Sequence, residues 1–128
     1  MGPVNWLAVL LAALAATGVM AILRAKGKPP AALRVEQPLM ARLGAIFVAM
    51  LVASSLIGHN FARVGADTLA AKPWLYAMMS GGWALMIAAP VLYVTLGNLG
   101  VPRWERLTEC GRWVAAFLAM GVVFGIIG

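Results

Sequence analysis

The sequence predicts an all-α fold: an integral membrane four-helix bundle whose third helix is kinked at Pro90. Three observations carry that expectation. Four apolar runs, at 4–23, 40–58, 74–97 and 113–128, take up most of the 128 residues. Their interiors hold no Asp, Glu, Lys or Arg except Arg42, at the entrance of the second. The composition, 63% hydrophobic against 11% charged, leaves nothing over for a soluble domain, so 1–128 reads as one transmembrane domain. An α-helix rises about 1.5 Å per residue, so roughly 20 apolar residues cross a hydrocarbon layer of roughly 30 Å. The first three runs meet that length and the fourth falls a little short.

Lipid tails are as apolar as leucine, so leucine burial does not drive helices together in a bilayer; close approach of backbones does, and it needs small side chains on one face. Each run offers such a face at a spacing of four. The first presents Ala8, Ala12 and Ala16, and with no basic residue before it reads as a retained span rather than a cleaved leader. The second, opened by Pro38 in its first turn, presents Ala45, Ala49 and Ala53. In the third, Ser80, Ala84 and Ala88 align, and Pro90 removes a backbone N–H and crowds the carbonyl of Met86, which predicts the kink. The fourth carries Gly121 and Gly125 as a G-x-x-x-G pair. An interfacial turn opened by Pro102 is expected before it, with Glu109 and Arg112, three apart, as neighbours on one helical face.

Charge orients the chain. Lys and Arg near span ends collect on the cytoplasmic side. The first connection holds Arg24, Lys26, Lys28, Arg34 and Arg42, and the third Arg103, Arg106 and Arg112, whereas the second has only Arg63 and Lys72. A multi-pass protein of the bacterial inner (cytoplasmic) membrane, with periplasmic N- and C-termini, is therefore expected. Arg24, Lys26, Lys28 and Arg34 are positioned to contact anionic lipid, worth about 1 kcal/mol each. The net charge of +6 is explained by these membrane-edge residues, so membrane lipids rather than nucleic acid are the expected partners.

Chemistry is sparse. No ionisable residue falls deep in a run, which argues against a proton-coupled pump. The lone Cys110 can form no internal disulfide, and no Ser-His-carboxylate set, carboxylate pair or phosphate-cradling glycine loop occurs. No enzyme activity, cofactor or metal is expected. His59, Asn60 and Arg63, at the outer end of the second run, could touch a lipid headgroup or small ligand. A closed zinc site wants four ligands, and this side otherwise offers only Asp67.

The opening Val4-Asn5-Trp6-Leu7-Ala8-Val9-Leu10-Leu11-Ala12-Ala13-Leu14-Ala15-Ala16 resembles the start of a bacterial family of small four-span membrane proteins, domain-of-unknown-function family 1761. Ala89-Pro90-Val91-Leu92, Gly111-Arg112-Trp113-Val114-Ala115 and the Gly-rich end are also similar. After the first span, Ile22-Leu23-Arg24-Ala25-Lys26 replaces the family's aromatic-Ser-Pro stretch. The resemblance implies a four-span fold and brings no catalytic residues.

The function expected from these features is that of an accessory or structural subunit packing against other membrane helices, of itself or of a larger complex. One alternative is an oligomeric channel or transporter lined by Ser54, Ser55, Ser80 and Thr95, which would then share one surface. The other is a lipid- or quinone-binding module around His59, Asn60 and Arg63, which needs a concave pocket at the outer leaflet.

Overall fold

The computed structural model describes residues 3–28, 30, 34 and 37–128, and among these the regular structure is helical throughout. In chain order the elements are α1 (Trp6–Lys26), α2 (Leu39–Val64), the short α3 (Ala66–Ala71), α4 (Trp74–Trp83), a π turn (Ala84–Ala88), α5 (Ala89–Asn98) and α6 (Arg103–Ile127). Helices α1, α2 and α6, and the stretch Trp74–Asn98, are each long and apolar enough to cross a membrane. The chain is an all-α, multi-pass membrane four-helix bundle. Asn5 and Ile127 meet at one end, and the arginines of the α1 and α6 ends lie at the other.

Local chemistry sets the helix ends. The Asn5 carboxamide oxygen accepts the Ala8 N–H at 3.1 Å and so caps α1, while its NH2 group donates to the Ile127 carbonyl at 2.9 Å. One side chain thus satisfies an orphan donor of α1 and an orphan acceptor of α6, groups that lipid would leave unpaired. Arg24 and Lys26 in the last turn of α1 complement the negative end of its dipole. Gly65 ends α2 at φ +88°, a left-handed conformation that Gly adopts without penalty, and redirects the chain into α3. The distortion expected at Pro90 takes the form of the π turn just before it, where the Ala89 N–H bonds the carbonyl of Ala84, five residues back. Pro90 has no N–H for Met86, and widening the turn by one residue accommodates its ring.

Helix α6 is the centre of the bundle. It packs against α1 on one side and α4–α5 on the other, α2 covers the far flank of α1, and α2 and α4 meet only sparsely. Ala8, Ala12 and Ala16 are fully buried, as are Ser80 and Ala84, and Ala88 is half-buried. Gly121 is buried against the α4 backbone, whereas Gly125 is exposed at the terminal end.

Two sequence expectations are corrected. Ala45 and Ala49 are exposed and Ala53 is only half-buried, because α2 turns Met50, Ser54, Ile57, Gly58 and Phe61 inward instead. That rotation is set where Gly58 meets Val9, whose methyl would lie 2.8 Å from any Cβ there, and where the buried Ser54 hydroxyl donates to the Val9 carbonyl at 2.8 Å. Interhelical bonds of this kind in membranes average about 0.6 kcal/mol. Ser54→Ala is therefore expected to lower stability by about that much, measurable as a small shift in the unfolding midpoint in mixed micelles. The fourth span is not short: α6 has 25 residues, about 37 Å at 1.5 Å each, because the charged stretch from Arg103 continues in the same helix.

Candidate functional site

At the arginine-rich end, the Glu109 carboxylate is fully buried inside the bundle and joins two helices. Arg112, one turn along α6, donates to its Oε2 at 2.8 Å, and Arg24, from the end of α1, pairs with its Oε1. The second terminal nitrogen of Arg112 donates to the Gly27 carbonyl at 3.0 Å. A Cβ at position 27 would stand 2.6 Å from that nitrogen, so a larger residue there would have to displace the Arg112 guanidinium. Nearby, the Arg106 guanidinium lies 4.6 Å from the Tyr93 ring centroid, a cation–π contact tying α6 to α5. The Cys110 thiol is buried and donates to the Ala89 carbonyl at 3.3 Å.

This cluster corrects one reading and adds to another. Glu109 lies just before the fourth apolar run, which itself holds no ionisable residue, yet α1 covers it and the carboxylate is buried inside the bundle. Arg24, assigned to anionic lipid, instead turns toward Glu109, and only 27% of its side chain remains exposed. Lys26, Lys28 and Arg34 are exposed at the same end.

At the terminal end lies a cavity of about 560 Å³. Its walls come from α2 (Gly58, Phe61, Ala62), from α3 and its flanks (Gly65, Ala66, Leu69, Ala70, Pro73), from Tyr76 of α4, and from Phe124, Gly125 and Gly128. Pro3 and Asn5 complete it. Phe61 is the hub of the aromatic wall, edge-on to Tyr76 at 4.9 Å and to Phe124 at 5.2 Å between centroids. The small residues around these rings leave the space open, and among the described residues no charged side chain lines it.

His59, Asn60 and Arg63 do not form this pocket. His59 and Arg63 are exposed, Asn60 is half-buried, and the lining of α2 is made by their neighbours Gly58, Phe61 and Ala62. The concavity expected at this end exists, but the polar trio points away from it, because α2 commits the other face to Tyr76 and Phe124. The four hydroxyls of the pore reading are likewise scattered. Ser54 bonds across to α1, Ser55 to its own Leu51 carbonyl, Ser80 to Tyr76 beneath α6, and Thr95 to Val91 on an exposed face. They share no surface. Among the described residues, no three His, Cys, Asp or Glu side chains group together.

No protein-family model, curated protein or solved structure matches this chain.

Proposed function

We propose that this chain is a small accessory membrane subunit that packs laterally against other membrane helices, its own copies or those of a larger complex. The observation that carries the reading is the inner half of α2. No residue from Leu39 to Ala49 is buried, and Ala41, Gly44, Ala45 and Ala49 are all exposed. The other spans spend small residues on contacts within the chain: Ala8, Ala12 and Ala16 of α1, Ser80 and Ala84 of α4 and the π turn, Gly121 of α6. On α2 they are left facing outward, where a backbone from another helix can come close. Bacterial inner-membrane placement with periplasmic termini belongs to the same proposal and rests on eight basic residues in the first and third connections against two in the second. The reading assigns the chain no catalysis.

Ala45→Cys, in native membranes treated with a bifunctional maleimide, should give a dimer or a larger adduct. The same residue at Val91, on the exposed face of α5, should give little. Because Cys110 is buried, background labelling should be low. Widening the face with Ala45→Leu should weaken association about tenfold, equivalent to about 1.4 kcal/mol. A lone monomer in mild detergent, with no adduct at Ala45 or Ala49, would contradict the proposal.

A further inference from the structure

We infer that the terminal-end cavity is a binding site for one acyl chain of a membrane glycerolipid, with the Tyr76 hydroxyl bonded to an oxygen at the chain's head, such as the ester carbonyl. The inference does not depend on lateral packing through α2, which lies at the other end of that helix.

The size is right for a specific site. Ligand pockets run roughly from 300 to 1,000 Å³, and this one, partly open to the surface, has about 560 Å³. The chemistry of the walls narrows the class. The ionisable residues of this end, His59, Arg63, Asp67 and Lys72, are all exposed, and none lines the cavity. A phosphate, a carboxylate or an amine would find no counter-charge inside, and burying a charge without one is unfavourable by several kcal/mol.

Among the described residues, two lining side chains carry polar atoms, Asn5 and Tyr76. Both ends of the Asn5 carboxamide are taken, by the Ala8 N–H and the Ile127 carbonyl. The Tyr76 hydroxyl has no hydrogen-bond partner among the described residues, although its ring is fixed edge-on to Phe61. The cavity therefore offers a mostly apolar body and, on a tyrosine of its wall, a phenol without a partner among the described residues, which is a donor for one oxygen.

Position supplies the occupant. The lining spans α2 and α4, the two spans that meet only sparsely, at the level where the helices end. A seam between loosely packed membrane helices admits lipid directly from the bilayer. At the level of the helix ends, a lipid presents its ester groups and the first part of its chains. Most of the lining surface is apolar, so a hydrocarbon chain suits these walls better than a polar ligand.

The test uses the full chain in vesicles of phosphatidylethanolamine and phosphatidylglycerol. These are doped with a phosphatidylcholine carrying a photoactivatable diazirine on one acyl chain. After irradiation, adducts mapped by mass spectrometry should concentrate on 58–76 and 124–128, at least fivefold above the exposed Val91–Val94 stretch. Ala70→Trp, which fills the cavity from an exposed wall, should lower that labelling at least fivefold, and Ala62→Trp should do the same from α2. Tyr76→Phe, which keeps the ring, should lower it at least twofold. Even labelling of all exposed apolar surface would mean boundary lipid only and would overturn the inference. So would labelling that survives both tryptophan variants in folded protein, or displacement of the probe by an isoprenoid quinone but not by added glycerolipid.

Discussion

Glu109→Gln is expected to destabilise the fold by about 3–5 kcal/mol, the usual result of removing one partner from a buried ionic cluster. The carboxylate is fully buried and holds Arg112 from its own helix and Arg24 from α1. Without its charge, two guanidiniums face each other in a medium where repulsion is screened little. The amide can accept from one of them but offers its NH2 to the other, donor against donor. Arg24 could reach the headgroup region, whereas Arg112 is held by the Gly27 carbonyl and is almost wholly buried. The loss should therefore appear as separation of α1 from α6 at the arginine-rich end. It can be read as the unfolding midpoint in a sodium dodecyl sulfate titration from mild-detergent micelles, and as increased protease sensitivity near Gly27. Replacing the whole cluster with Arg24→Met, Glu109→Leu and Arg112→Met should recover most of the stability, since apolar side chains of similar volume avoid the desolvation that the ions suffer. If Glu109→Gln alone leaves the midpoint unchanged, the cluster does not hold α1 to α6.

That cluster also shows where the sequence stops being informative. The four crossings were legible because length and apolarity are properties of single segments, and Ala8, Ala12 and Ala16 were legible because every position of that ladder, spaced by four, is buried. Glu109 and Arg112 could be paired by their spacing alone. Arg24 lies 85 residues away in sequence, and nothing local announces that α1 brings it to α6. The one available signal was Glu109 itself, an acid amid Arg103, Arg106 and Arg112 in a stretch that continues into an apolar helix.

Ala45 and Ala49 failed as packing residues for a different reason. An Ala-rich helix presents several small faces, and lipid does not penalise the wrong one, so periodicity cannot choose. The choice was made by Ser54 and Gly58, through a hydrogen bond and a close approach to Val9. The same rotation turned His59 and Arg63 outward and delivered Phe61 to the cavity, whose walls come from both ends of the chain and from 58–76 between them. A pocket assembled that way leaves no motif.

Gly121→Ala should cost about 1–3 kcal/mol, the range for over-packing a close contact, and Gly121→Leu should cost more and separate α6 from α4. A Cβ at Gly121 would lie 2.7 Å from the Tyr76 carbonyl oxygen and 3.2 Å from its carbon, and would also strike the Ser80 hydroxyl. Rotating the serine relieves only one of these contacts. The other two are main chain, so the helices themselves must move apart. Ser80 donates to that same Tyr76 carbonyl at 2.7 Å, so the displacement also disturbs a buried hydrogen bond. Gly125, one turn further on, supplies the control: its Cβ would meet the Tyr76 ring at 3.5 Å, an ordinary van der Waals distance. Gly125→Ala should therefore stay within about 0.5 kcal/mol of the parent, as exposed substitutions usually do. Unfolding midpoints of the two alanine variants, measured side by side in the same micelles, separate two meanings of the G-x-x-x-G pair. Equal effects would mean that it acts as a general small face. A large effect at Gly121 alone would mean that one glycine sets the crossing of α6 over α4, and with it the position of Tyr76 in the cavity wall.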